Sequence, residues 1–288
     1  IDHVKERRQF GRPLADFELV QDKIGWMVSH LFGLESMCYL TCGLVDAGVP
    51  DYSLESAVCK VSGTEFLWYA ANRALQLAGG EGYMRDRPYE KVLRDTRIYP
   101  IFEGANDVLR AFVALGGFKP VGEKLEGLSD IELSDPIRSI GVLVEYASDR
   151  IQREVRPDKI TKAHEELSGH ADAVSDQVKR LAGVTESLLR EHKGDVIERQ
   201  LQQKRLADNI ADIYAQVALL SRVSHILDDQ GVEPSGQERF IADTFCQRAA
   251  SRVESRFDQI ESNDDERMTA IAKLAYKRGS YGYALFED

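Results

Sequence analysis

Glu103 stands in the stretch "IYPIFEGANDVLR" (98–110), behind an apolar run and ahead of a glycine and a helix start. A carboxylate in apolar surroundings holds its proton to higher pH, the tuning that a general base near neutrality requires. Backbone N–H groups following it at a helix N-terminus could stabilise an oxyanion. An acid in this position also serves as an ordinary partner of the helix dipole. Spacing alone does not choose between the two readings.

Two other stretches have residue types suited to a ligand. "ERRQFGRP" (6–13) sets adjacent arginines, an aromatic and a glycine at a helix break. Guanidinium pairs with phosphate and Phe10 offers a stacking face, so an anion carrying a flat ring would suit it. A solvated helix end with ordinary charge pairs has the same composition. "QLAGGEGY" (76–83) has glycines that let backbone N–H groups approach a ligand, and Gln76 can both donate and accept. A plain helix cap reads the same way. The stretch matches neither the phosphate-binding P-loop nor the dinucleotide fingerprint, which must follow a strand.

The elements that must hold these residues are helices. Phe17, Val20, Ile24, Met27, Leu31, Leu34 and Cys38 recur at steps of three and four, which predicts one long amphipathic helix. Pro50 ends it within "GVPDYS", and Asp51 or Ser53 caps the next. Ala57, Val61, Thr64, Trp68, Ala71 and Leu75 predict a second helix, which "AGGEGY" stops. A third begins near Asn106 and carries Val108, Leu109, Phe112 and Leu115. The glycines and proline of 116–127 read as a linker. Four further apolar stripes follow it. They are Ile137 to Ile151, Leu167 to Leu188, Leu206 to Leu220, and Ala242 to Phe257, with breaks at Pro157 and "DDQGVEPSGQ" (228–237). No alternating run competes as a strand. The fold class is all-α, two stacked helical bundles.

Composition narrows the function classes. The 288 residues, 43% hydrophobic and 30% charged, suit a globular chain. A net charge of −11 argues against nonspecific nucleic-acid binding, which needs a basic surface. Cys38, Cys42, Cys59 and Cys246 form no disulfide framework or zinc spacing, and packed free thiols with no metal are expected. No stretch approaches 18 consecutive apolar residues, so no membrane span is expected. The chain opens without Met on what reads as mid-helix, which predicts a piece of a longer protein.

Taken in order, "ERRQFGRPL", "QLAGGEGYMRDRPYEKVLRDTRI" and "IFEGANDVLR" resemble the carboxy-terminal helical domain of the acyl-CoA dehydrogenase family, over roughly residues 1–118. The remainder, with "QQKRLADNIADIYAQVALLSRVSHIL" and "ADTFCQRAA", is similar to the extra helical domain of the very-long-chain branch. The resemblance implies a catalytic and FAD-interface domain at 1–118, a linker at 119–135 and the added domain at 136–288. The family's amino-terminal helical and middle β domains are not in the sequence. Glu103 would be the base that takes the α-proton of a fatty acyl-CoA thioester as a hydride leaves the β-carbon for FAD, giving a trans-2-enoyl-CoA. In the family the carbonyl oxygen is held by the base's backbone N–H and a flavin ribityl hydroxyl. Arg7, Gln9 and Phe10, with Gln76, Leu77, Gly79 and Gly80, fall where the family contacts FAD across a homodimer interface. Ala105, Asn106 and Asp107 fall at a further FAD contact, and Phe102 and Gly104 line the thioester end of the substrate tunnel.

The family's partners would be the acyl-CoA substrate and electron-transfer flavoprotein. Its compartment would be the bacterial cytoplasm or the mitochondrial matrix, with at most peripheral attachment to a membrane. The stripe at 137–153, with Glu145 and Asp149 beside Arg138, Arg150 and Arg153, has too mixed a polar face for a membrane-surface helix. One departure stands out: relatives read Glu-Gly-Thr where this chain has Ala105, so a hydroxyl contact to the cofactor is missing. An assembly-factor role, known among very-long-chain relatives, is the alternative reading.

Overall fold

The computed structural model describes residues 1–124, 160–233 and 235–283. The expected stripe from Ile137 to Ile151, its charged neighbours and Pro157 lie outside the described residues. Helix α1 (Asp2–Glu6) leads into a hairpin of two-residue strands, β1 (Arg8–Gln9) and β2 (Arg12–Pro13), and then a short 3₁₀ turn. Next come α2 (Glu18–Asp46), α3 (Ser53–Ala78), α4 (Gly80–Tyr83), α5 (Tyr89–Thr96) and α6 (Asn106–Lys124). The second group holds α7 (Ser168–His192), α8 (Gln200–Gln230), α9 (Gly236–Glu261) and α10 (Asp265–Arg278). The all-α class holds for the described residues, with one small hairpin added. Helices α1, α4, α5 and α10 carry no stripe long enough to be read from apolar spacing.

Several boundaries fall where local chemistry puts them. The Ser53 N–H donates to Asp51 Oδ1 at 2.9 Å and starts α3, which ends before Gly79 at φ +61°. Helix α6 begins at Asn106 but runs through Gly116 and Gly117 to Lys124, nine residues into the stretch 116–127 expected as a linker. Those glycines serve close packing rather than a break. A Cβ on Gly116 would come within 2.7 Å of Leu54 on α3, and one on Gly117 would meet Ile210 of α8.

The two groups of helices stack, and they share one continuous core. Val58, Val61 and Phe112 belong to the same buried cluster as Leu206, Leu219, Phe245 and Phe257. Helix α8 lies at its centre, against α9, α6, α2 and α7. Its expected stripe at Leu206, Ile213 and Leu220 is buried, but so are Gln203, Asn209, Gln216 and Ser224 around the helix. Buried amides need partners. Gln216 Nε2 donates to Gln177 Oε1 at 2.9 Å, and Gln203 Nε2 to the carbonyls of Val196 and Ile197 at 2.9 and 2.7 Å.

Helix α2 departs most from its sequence pattern. The fully buried positions are Ser29, Gly33, Ser36 and Met37, while Leu31 and Cys38 of the expected stripe are exposed. The reason is close packing: a Cβ on Gly33 would lie 2.8 Å from the Phe245 ring of α9. Small residues and Met37 therefore take the most buried positions, Phe32 and Leu34 pack half-buried beside them, and Leu31 turns outward. Cys42 is exposed too, so the expected packing of Cys38 and Cys42 does not occur, whereas Cys246 is buried. By length and composition α2 could cross a bilayer, the one such helix among the described residues. Here it packs on α3, α8 and α9, with Glu35 paired to Arg222 and Asp22 to Arg248.

An aromatic ladder ties α3, α2 and α9 together. Trp26 stacks on His30 at 4.2 Å and on Phe66 at 5.6 Å, and His30 meets the Phe245 ring edge-on at 5.4 Å. His30 Nδ1 donates to the Trp26 carbonyl at 2.8 Å. Burial lowers the imidazole pKa from 6.5 to about 4, against the pull of that carbonyl. Below pH 6.5 the unfolded chain binds a proton that the folded chain refuses. The stabilisation is therefore complete above pH 6.5 and declines as pH falls toward 4, by a total on the order of 3 kcal/mol. Urea midpoints measured at pH 7 and pH 4.5 should differ less in His30→Gln than in the parent protein. An unchanged difference would show that another group sets the acid sensitivity.

Candidate functional site

The hairpin that carries the first motif turns on Phe10 and Gly11, with φ of +51° and +83°. Positive φ at both central residues matches the right-handed twist of a hairpin, but it is uncommon for a bulky residue. Arg8 Nη2 closes the turn by donating to the Gly11 carbonyl at 2.9 Å. The turn leaves the Phe10 ring 93% exposed, with one edge toward Phe17 at 6.3 Å. A large ring held out in this way is placed to meet something beyond the chain.

The second motif packs beside the first. Gly82 has no room for a Cβ, which would lie 2.5 Å from the Leu75 carbonyl oxygen, whereas Gly79 and Gly80 face open space. A cleft of about 450 Å³ is lined by Arg7, Gln9, Gln76, Leu77, Gly79 and Gly80, so most of the two predicted contact sets meet in one place. His3, which the sequence reading passed over, lines it as well. Its Nε2 is buried and has no hydrogen-bond partner among the described residues. No spacing signal marks it: His3 reaches the cleft because α1 folds back against α3.

Glu103 lies elsewhere. It adopts φ +52° and is followed by Gly104 at +87°, so the chain makes a left-handed kink on a glutamate. That conformation costs about 1–2 kcal/mol for a residue with a Cβ. The kink is held from α3: Lys60 Nζ donates to the Gly104 carbonyl at 2.6 Å and to Asn106 Oδ1 at 2.8 Å. Asn106, 4% exposed, returns its amide to Thr64 Oγ1 at 3.0 Å and Glu65 Oε1 at 3.4 Å. Burial pulls the Lys60 ammonium pKa below its ordinary range, and Glu65 opposes the shift. Neither Lys60 nor Thr64 was singled out for this role in the sequence, although their spacing of four puts both on one face of α3.

The surroundings of Glu103 are not what the apolar run "IYPIF" predicts. Glu103 is exposed, as are its neighbours Phe102 and Gly104, and Tyr99 packs only edge-on against Phe102 at 5.5 Å. The run makes a tight turn, with the Phe102 N–H on the Ile98 carbonyl, and it points its side chains outward. No apolar enclosure of the carboxylate is made by the described residues. The Asn106 N–H, one candidate for an oxyanion donor, is taken by the Pro100 carbonyl at 3.0 Å. Asp107 and Val108 are exposed on the first turn of α6. Lys60 and Gln76 stand on one helix, about 24 Å apart at 1.5 Å per residue. The base candidate and the Arg7–Gln76 cleft are therefore distinct surfaces of one protomer.

Comparison with known proteins places both surfaces in one context. Residues 1–117 match the family model "Acyl-CoA dehydrogenase, C-terminal domain", and residues 165–281 match "ACAD9/ACADV, C-terminal domain". The chain belongs to the acyl-CoA dehydrogenase family. The very long-chain specific acyl-CoA dehydrogenase of Bos taurus mitochondria is 34% identical over 97% of this chain and 44% of its own length. The Homo sapiens protein gives the same 34%, 97% and 44%. A probable acyl-CoA dehydrogenase of Bacillus subtilis is 28% identical, over 94% of this chain and 47% of its own. The chain thus spans under half the length of these curated relatives. A solved acyl-CoA dehydrogenase from Bacillus anthracis, complexed with FAD, shares the fold. Its TM-score is 0.73 at 24% identity, covering 93% of this chain and 47% of that one. The fold of Caenorhabditis elegans ACDH-11, solved with C11-CoA, is more distant, with a TM-score of 0.52 at 21% identity. The first family match, over residues 1–117, takes in all three motifs.

Ala105 is the residue just before α6, and its carbonyl accepts the Leu109 N–H at 2.9 Å, as an N-cap's does. Alanine is a poor N-cap, and a hydroxyl there is worth about 0.5–2 kcal/mol. Ala105→Thr should therefore raise the thermal midpoint by about 2–4 °C. A melt that is unchanged or lower would show that the Glu103–Gly104 kink keeps the hydroxyl from the helix.

Proposed function

We propose that the intact protein is a flavin-dependent acyl-CoA dehydrogenase that oxidises fatty acyl-CoA thioesters to trans-2-enoyl-CoA in fatty acid β-oxidation. Glu103 is its base. The observation that carries this reading is the left-handed kink at Glu103–Gly104, gripped by Lys60 and Asn106. Backbone strain of this kind persists only where the surroundings over-determine it, and it clusters at functional positions. The carboxylate projects from a fixed backbone into open space, as a base requires if its substrate is delivered from outside this chain.

The α-proton of a thioester is weakly acidic, so its removal needs a base fixed in place and a carbonyl whose developing charge is held. Glu103 takes the proton at its carboxylate, and its own N–H faces the thioester oxygen. Phe102 and Gly104 flank the thioester and keep water from it once the rest of the protein closes over them. The residues of the Arg7–Gln76 cleft fit FAD. The Arg7 guanidinium suits a diphosphate, Gly79 and Gly80 leave their backbone open, and the unpartnered His3 Nε2 has a bond to give or accept. Phe10, Ala105, Asn106 and Asp107 complete the proposed contacts. When bound, FAD accepts the hydride from the β-carbon.

The separation of the Glu103 loop, held at Lys60, from the cleft at Gln76, about 24 Å further along α3, favours a homodimer in which each flavin would be held by Glu103 of one protomer and the Arg7–Gln76 cleft of the other. Electron-transfer flavoprotein would be the electron acceptor. The protein would work in the bacterial cytoplasm or the mitochondrial matrix, with at most peripheral contact with a membrane. Residues 1–118 carry the chemistry, and this chain by itself is inactive and holds flavin weakly. In the full-length protein, Glu103→Gln should abolish acyl-CoA dehydrogenation, assayed with thioesters of graded length and an artificial acceptor, while flavin content stays at the parent level. Near-parental turnover in that variant would remove Glu103 from the role.

A further inference from the structure

A polar chain leaves the Glu103 loop and crosses into the second group of helices. Asn106 Nδ2 donates to Glu65 Oε1, and that same oxygen receives Arg110 Nη2 at 2.7 Å. Arg110 stands on α6, and its Nε donates to Asp208 Oδ1 on α8 at 2.6 Å. The other Asp208 oxygen takes Lys204 Nζ at 2.6 Å. The Arg110 side chain is 9% exposed and that of Asp208 14%, so the pair is held largely away from water. Burial disfavours both charges, yet each is favoured overall, Arg110 by Asp208 and Glu65, and Asp208 by Arg110 and Lys204.

We propose that Asp208 is a positioning residue for the Glu103 loop, through which the second group of helices sets the geometry of proton removal. This rests on the reading of Glu103 as the base. One shared oxygen links the two. Glu65 Oε1 serves Asn106 and Arg110 together, and Asp208 fixes where the guanidinium points. Without the Asp208 charge, Arg110 turns fully onto Glu65 and draws that oxygen from Asn106. Lys60 Nζ has two acceptors, the Gly104 carbonyl and Asn106 Oδ1, so Asn106 helps to hold the ammonium at the kink. The strained kink then loosens, and the carboxylate at 103 loses its fixed direction. A displacement of an ångström at a reacting group is enough to lower a rate a hundredfold.

The experiment uses the full-length flavin-loaded protein. In Asp208→Asn, kcat should fall about tenfold with KM little changed. The kinetic isotope effect with acyl-CoA deuterated at the α-carbon should rise, because proton removal becomes slower than the other steps. Amides of residues 98–106, where Phe102 bonds to Ile98 and Asn106 to Pro100, should exchange hydrogen faster while those of α10 do not. Asp208→Glu, which restores the charge, should recover most of the loss. A fall in kcat with an unchanged isotope effect and unchanged exchange would mean only less folded protein, and would overturn the proposal. Parental behaviour in all three measurements would overturn it as well. If Asp208→Asn does not fold, Lys204→Gln on the exposed side of the same carboxylate should raise the isotope effect by a smaller amount, and no rise would be decisive against it. Dehydrogenation that survives Glu103→Gln would defeat the base assignment. The exchange result would still report whether Asp208 governs residues 98–106.

Discussion

A guanidinium buried between two carboxylates constrains much of this molecule. Arg110 can stay charged out of water only if Glu65 and Asp208 both reach it, and they come from two different helices, α3 and α8. Removing one member of a buried pair typically destabilises by about 3–5 kcal/mol, because the survivor is left without compensation. Helix α6 is therefore fixed in rotation and height against α3 and α8 together. The small residues of the interfaces follow from that demand. Gly116 admits Leu54 of α3, and Gly117 lies against Ile210 of α8, so three helices approach closely enough for the charged groups to meet.

The same constraint explains why the two groups of helices share a core. Two bundles joined by a linker would each bury their own apolar stripe, and α8 would show one polar side. Instead α8 is buried around most of its circumference, with Gln203 and Gln216 satisfied by internal partners. Apolar burial supplies the free energy, at about 25 cal/mol per Å². It does not select a register. Ion pairs and amides that fit only one arrangement do, and Arg252 and Arg256 on Asp212 extend the set along α8.

The helical class, the starts of α3 and α6, and the buried faces of α3, α7 and α9 were legible because each is a local matter of spacing and caps. Ala242, Phe245, Ala249, Val253 and Phe257 all face the core as their steps of three and four require. Helix α2 was not legible, because its buried face is chosen by close approach at Gly33 and not by hydrophobicity. The end of α6 was misread for the same reason: a glycine pair looks like a break whether it frees the chain or admits a neighbour. Of the candidate site, the motifs were visible and the union of the first two in one cleft follows their order. The grip on Glu103 was not visible. Lys60 and Gly104 are 44 positions apart, and Arg110 and Asp208 are 98. No periodicity in a single sequence reports pairings at that range.

The kink at Glu103 is where backbone strain, a helix start and the buried ion pairs meet. A glycine at 103 would relieve the left-handed strain, at the loss of the carboxylate. The chain keeps the acid and sets the glycine next to it, at 104, where a Cβ would come within 3.1 Å of Leu109. It then precedes α6 with Ala105, which offers no side-chain cap, two residues after the strained glutamate. With strain on one side and a weak helix start on the other, local sequence does little to hold this turn. Lys60 must do so from outside it, by way of the buried Asn106 side chain, and Asn106 shares its Glu65 partner with Arg110. The precision of the carboxylate thus comes from tertiary structure, and through Arg110 part of that structure is the second group of helices. A loop with a threonine cap at 105 would carry more of its own order and depend on Asp208 less.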